Sequence, residues 1–299
     1  MPDINDLSFS AKLSLEELLN SWLSQPLPAS PALAEKIVAA ASKLLASGQA
    51  DSLKPETIRD YLNVTSTATF LTGLPYPEKN REWAETCFQF IQRINYSLLD
   101  LFEDRVRENP DRVLFIDLSS LKTGKWTYSE IASYLKLLAG YFYLLAAPAE
   151  PRVAIFSENH FDSACSDLAC LFYDILVTPL NPSFNLENLE LIFNQLKINI
   201  VITDNLERLK LLEQLKKKTG LNFEILGLQR IEPAGGLRYL GEQIRSLNPK
   251  EIEQVVARRP RFRLTQVSTV MYTSGSTGIP KGVSFSTYNL ISKRFARGA

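Results

Sequence analysis

The segment Tyr272-Thr273-Ser274-Gly275-Ser276-Thr277-Gly278-Ile279-Pro280-Lys281-Gly282 stands apart from the rest of the chain in what its residues could do. Four hydroxyl side chains, Thr273, Ser274, Ser276 and Thr277, offer short donors, while Gly275, Gly278 and Gly282 let the backbone approach an anion closely. Lys281 adds a mobile positive charge, and Pro280 fixes a dihedral beside it, limiting the entropy lost when the loop closes on a ligand. The composition is that of a phosphate cradle. A flexible linker has no need of a proline-lysine-glycine exit or of the apolar run Val267 to Met271 that leads into it. A Walker-type loop needs Gly-Lys followed by Ser or Thr, whereas here Lys281 precedes Gly282. The run from Gly282 to Ser286 is strand-like, so the loop is expected to join two strands instead of opening a helix.

At Tyr272 to Val283 the sequence resembles, almost position for position, the signature loop of the adenylate-forming (AMP-binding) superfamily, and a general similarity around Asn181-Pro182-Ser183-Phe184 makes it most like the fatty acyl-CoA synthetases. The resemblance continues upstream through Ser97 to Arg112, Trp126 to Glu130, Arg152 to Asn159, Asp167 to Cys170 and Val177 to Pro182. It implies an enzyme that joins a small-molecule carboxylic acid to the α-phosphate of ATP and passes the acyl group to a thiol, with CoA as the expected acceptor. It assigns ATP binding to Thr273, Ser274, Gly275, Ser276, Thr277, Gly278 and Lys281, and the approach to Mg²⁺ to Ser274. Two departures stand out. Thr287 occupies the place where family members usually carry a histidine, and the sole histidine of the chain is His160. Ala299 precedes the family's adenine- and ribose-binding segments, its Mg²⁺-binding glutamate and the lysine used for adenylation. The chain therefore reads as the N-terminal part of a larger ligase, without a complete catalytic set and inactive alone. The alternatives are an adenylation domain of a peptide synthetase or a non-catalytic, nucleotide-binding regulatory protein.

The elements that must position this loop are legible as alternating patterns. Short β-branched or aliphatic runs occur at 112–117, 152–157, 176–180, 198–203, 223–228 and 268–272, separated by helical stretches at 128–147, 161–173, 186–196 and 205–219. Such alternation predicts an α/β fold with a parallel sheet covered on both faces, whose ligands sit at the carboxyl ends of the strands. The first 95 residues carry helical signals only, with helices expected near 13–23 and 33–44, and 78–108 reads as continuous helix up to Asn109-Pro110. The division implied is a helical extension over 1–95, followed over 96–299 by part of the layered α/β AMP-binding (adenylation) domain. The extension is either a cap on that domain or a module that brings a partner. Its apolar face of Leu15, Leu18, Leu19 and Trp22 must be buried, usually in a domain's own core.

Composition removes other classes. The 299 residues carry 33 basic and 33 acidic side chains, so the long-range attraction used by general nucleic-acid or anionic-membrane binders is missing. Three cysteines cannot build a disulfide framework and suit a reducing compartment. The apolar run 137–149 is too short to span a bilayer, and the acidic N-terminus lacks the marks of a secretory signal, so a cytoplasmic protein is expected. The arginines of Arg258 to Arg263 read as a solvated connector and Lys216 to Lys218 as a helix end. His160, Cys165 and Cys170 are spaced for different helical faces, and Asp162, Asp167 and Asp174 read as a partly solvated face with no acid–base pair.

Overall fold

A computed structural model describes residues 15–25, 30–74, 77–117, 124–231, 236–259, 263–273 and 279–296. The chain divides into two compact units, Met1–Ser97 with Tyr288–Ala299, and Leu98–Thr287.

The first unit is helical among its described residues: α1 (15–24), α2 (Pro31–Ala46), α3 (Pro55–Thr65), α4 (Ala68–Thr72), α5 (Pro77–Ile94) and most of the last helix (Thr287–Ala296). Proline opens α2, α3 and α5, where its missing N–H costs no helical hydrogen bond. The apolar face of α1 is buried within this unit, with Trp22 against Phe70 at 4.8 Å between ring centroids. Trp83 lies beside Phe295 of the last helix and donates from Nε1 to Thr65 Oγ1 at 2.8 Å. The helix expected over 78–108 is two: α5 stops at Ile94, Asn95 takes a left-handed conformation (φ 53°), and α6 (Leu98–Glu108) begins the second unit. Asn tolerates that conformation better than most residues, which is why no glycine or proline announced the break.

In the second unit, β1 (Val113–Asp117) and β2 (Gly124–Thr127) form a separate antiparallel ribbon, so the first expected strand lies outside the main sheet. Thr127 then starts α7 (Tyr128–Ala146) with a reciprocal cap: its Oγ1 accepts from Glu130 N–H at 3.2 Å, and the Glu130 carboxylate accepts from Thr127 N–H at 2.8 Å. There follow β3 (Arg152–Phe156), α8 (Phe161–Phe172), β4 (Leu176–Pro179), α9 (Leu186–Leu196), β5 (Ile200–Thr203), α10 (Leu206–Thr219) and β6 (Glu224–Gly227). The two-residue strand β7 (Arg238–Tyr239) leads to α11 (Leu240–Arg245), α12 (Pro249–Ala257), β8 (Val267–Thr273), β9 (Lys281–Ser286) and α13 (Thr287–Ala296). The sheet order is β7-β6-β5-β3-β4-β8-β9, parallel except for the edge strand β9.

Alternation along the strands builds two cores. Val153, Ile155, Ile200, Ile202 and Leu226 face α7 and α8, while Ala154, Phe156, Val201 and Val270 face α9 and α10. The helix after β3 and the helix after β4 therefore cover opposite faces, which opens a crevice at the carboxyl ends of those strands. Among the described residues no helix is long and apolar enough to cross a membrane.

Candidate functional site

The loop expected to hold phosphate leaves the sheet at the carboxyl end of β8 and returns as the antiparallel strand β9. It is a strand–loop–strand element, as its sequence predicts, and no helix follows the cradle directly. Ser274, Gly275, Ser276, Thr277 and Gly278 lie outside the described residues. Thr273 and Lys281, the two other proposed ATP contacts, are brought together as the final register pair of the hairpin. Thr273 Oγ1 donates to the Lys281 carbonyl at 3.4 Å. The Lys281 side chain is exposed and makes no ion pair among the described residues, so its ammonium is free for an anionic ligand.

The root of this hairpin is held from several sides. Thr178 of β4, fully buried, donates from Oγ1 to the Val270 carbonyl at 2.8 Å and so fastens β8 to its neighbour. Replacing Thr178 with valine keeps the shape and leaves that buried carbonyl without its donor. A loss of about 1–3 kcal/mol is expected, read as a lower denaturant midpoint at unchanged slope. Tyr272 packs toward the α9 and α10 core, and its hydroxyl donates to Gln195 Oε1 at 2.9 Å. Burial raises the Tyr272 phenol above its ordinary value.

Gly282 needs a different account from the anion approach expected of it. It lies within β9 opposite Tyr272, and a Cβ there would sit 3.0 Å from Val270 Cγ1 and 3.1 Å from the Tyr272 ring. A side chain there would be crowded by Val270 and the Tyr272 ring, which favours glycine. Thr287 is buried and hydroxyl-paired with Ser268 Oγ at 2.6 Å, so it is committed to the fold.

At the carboxyl ends of β3 and β4 lies a cavity of about 460 Å³ lined by Ser157, His160 and Asp167 together with Pro179, Leu180 and Pro182. His160 caps α8, its Nδ1 accepting from Asp162 N–H at 3.2 Å, and the cap explains its place without a metal. The three carboxylates of this region do not share one solvated face. Asp162 accepts the Tyr134 hydroxyl at 2.7 Å, Asp167 lines the crevice, and Asp174 follows the helix in a left-handed turn (φ 60°). Burial pushes Asp167 up to about 6, and burial together with Glu150 pushes Asp174 up to about 6.

The sign for Asp167 is fixed by linkage. A carboxyl whose folded value exceeds its unfolded value of about 3.9 stabilises the fold while protonated, and this is lost as pH rises through about 6. Asp167→Asn is therefore expected to be more stable than wild type by ~1–2 kcal/mol near pH 7.5 and equal to it near pH 3.5. Urea midpoints at the two pH values check this.

Two clusters that read as solvated charge have partners. Arg259 lies 3.8 Å from the centroid of the Tyr143 ring and pairs with Glu150 at 2.8 Å. Lys216 covers the Phe223 ring, and Lys218 pairs with Glu190 at 2.6 Å. Arg208 joins the carboxyl ends of β3 and β5, binding Glu158 at 2.7 Å and Asp204 at 2.6 Å. Sequence spacing gave no sign of Thr178 or Gln195, whose partners lie 92 and 77 residues away, or of the pairing of Arg208 with Glu158, 50 residues away.

The family pattern of the AMP-binding enzymes matches residues 102–297. A long-chain-fatty-acid–CoA ligase, FadD15 of Mycobacterium bovis, is 27% identical over 188 residues, 62% of this chain and 30% of the ligase. Chondramide synthase cmdD of Chondromyces crocatus is 24% identical over 222 residues, 72% of this chain and 5% of the synthase. Among solved structures, the anthranilate CoA ligase AuaEII in complex with anthranoyl-AMP superposes with a TM-score of 0.55 at 14% identity, over 64% of this chain and 35% of that one. The last likeness is one of fold.

Proposed function

The chain belongs to the AMP-binding enzyme family, and from that membership we propose that it serves ATP-dependent, AMP-forming ligation of a carboxylic acid to a thiol, in the manner of acyl-CoA synthetases. The observation that carries this reading is the hairpin at the carboxyl edge of the sheet, with Thr273 and Lys281 paired where the loop leaves it and the exposed lysine making no ion pair among the described residues. A substrate carboxylate oxygen bonds to the α-phosphorus of ATP as the bond to pyrophosphate breaks. A thiolate then takes the acyl carbon and AMP leaves. Negative charge gathers on the departing pyrophosphate in the first step, so donors already placed around the β- and γ-phosphates lower the barrier. Thr273, Ser274, Gly275, Ser276, Thr277, Gly278 and Lys281 are assigned that role. The Mg²⁺ that accompanies ATP supplies charge neutralisation at the phosphates. Ser274, a hard oxygen donor of the kind this ion takes, is the residue assigned to approach it.

The chain spans 30% of the length of FadD15, so the test belongs to the native polypeptide. Carboxylate-dependent exchange of pyrophosphate into ATP, strongly lowered by Lys281→Ala, supports the ligase. Nucleotide binding without exchange across a broad panel of acids supports a regulatory protein instead. Relatives include both a CoA ligase and a synthase of the chondramide type, so the thiol is a second question. Consumption of free CoA supports the acyl-CoA synthetase reading, and transfer only to a carrier-bound thiol supports an adenylation domain of a peptide synthetase.

A further inference from the structure

The phosphate loop has both ends on one hairpin, and the register pair Thr273–Lys281 holds those ends together. What the register does not fix is the tilt of the hairpin relative to the helices beneath it. Tyr272 is the residue just before this pair, and three contacts hold it. Its side chain packs against the core under α9 and α10, its ring fills the space beside Gly282, and its hydroxyl is tied to Gln195 on α9. Gln195 is itself exposed and contributes nothing to the apolar core, so its described role is this hydrogen bond. α9 in turn is fixed at its start by reciprocal capping between Asn185 and Asn188, which gives the anchor a rigid base.

The geometry points to Gln195 as a positioning residue for the Thr273–Lys281 pair, acting through Tyr272. The inference rests on the phosphate-holding role proposed above. Without the bond to Gln195 the Tyr272 ring is held by packing alone, and the Thr273–Lys281 pair beside it is less firmly placed. Ground-state capture of the triphosphate then weakens more than the chemical step does.

In the native polypeptide, Gln195→Ala and Tyr272→Phe are each expected to raise the KM for ATP in pyrophosphate exchange about 3- to 10-fold, with kcat within about 2-fold of wild type. The double variant should be no worse than either single one, and Gln195→Glu, which keeps an acceptor for the hydroxyl, should restore the wild-type KM. Thermal midpoints should stay unchanged, because Gln195 is exposed. Additive effects, or no rescue by glutamate, would overturn the assignment. If the wild-type protein shows no exchange at all, the ligase reading fails separately. Amide hydrogen exchange across 268–287 then decides: faster exchange in both single variants upholds the anchor, and rates equal to wild type remove it.

Discussion

Lys281→Ala is expected to lower the rate of acid-dependent ATP–pyrophosphate exchange by roughly 10²- to 10³-fold while leaving the fold untouched, the size of effect seen when one preorganised donor to a developing charge is removed. The side chain is exposed and free of ion pairs among the described residues, so its truncation costs the native state nothing beyond the few tenths of a kcal/mol typical of surface changes. That combination makes the variant informative. Most of the loss should fall in kcat, because the charge that Lys281 is proposed to meet grows on pyrophosphate as it departs. Lys281→Arg should recover part of the rate, since it restores charge at a slightly different reach. A variant that loses activity together with its thermal midpoint would place Lys281 in the fold and not in the chemistry.

The second large effect concerns stability. Gly140 lies within α7, fully packed, and a Cβ added there would fall 2.4 Å from Ile252 Cγ2 of α12. Isoleucine in a helix has one strongly preferred rotamer, so the methyl cannot swing aside and the two helices must separate. Gly140→Ala is therefore expected to destabilise by about 1–3 kcal/mol, although alanine in a helix interior is otherwise better than glycine by about 1 kcal/mol. The sign should reverse once the obstacle is gone. In an Ile252→Ala background, Gly140→Ala should stabilise, and a four-variant cycle of denaturant midpoints measures the reversal. Destabilisation of equal size in both backgrounds would mean that the close approach of α7 and α12 is not what requires glycine.

Much of the α/β unit was legible because burial on both faces of a parallel sheet leaves a plain mark. Runs such as Val153 to Phe156 and Ile200 to Ile202 are apolar throughout, and the helices that follow strands carry Asn185, Asn205 and Gly220 at their ends. What a strand pairs with is another matter. Val113 to Asp117 reads as a strand and is one, but only the ribbon partner Gly124–Thr127, too short and polar to announce itself, removes it from the main sheet. Arg238–Tyr239 is two residues long and leaves no periodicity to detect. The last helix begins directly after β9, and its residues from Tyr288 onward group with the helical first unit, a long-range outcome that local pattern does not encode.

At the site, residue types and order were enough to place Thr273 and Lys281 on a strand–loop–strand element. They did not reveal what favours glycine at 282, because the Val270 and Tyr272 side chains that crowd the position come from the opposing strand. Nor could they show that Thr287 is consumed by Ser268, or that Arg259 covers Tyr143. Each of these depends on a partner chosen by tertiary packing.

The most direct test of the central claim is the incorporation of labelled pyrophosphate into ATP by the native polypeptide, measured with and without each member of a panel of carboxylic acids. Incorporation that requires one class of acid, and that Lys281→Ala lowers by roughly 10²- to 10³-fold, is the predicted result. ATP binding accompanied by no acid-dependent incorporation would contradict the assignment of this chain to acid adenylation.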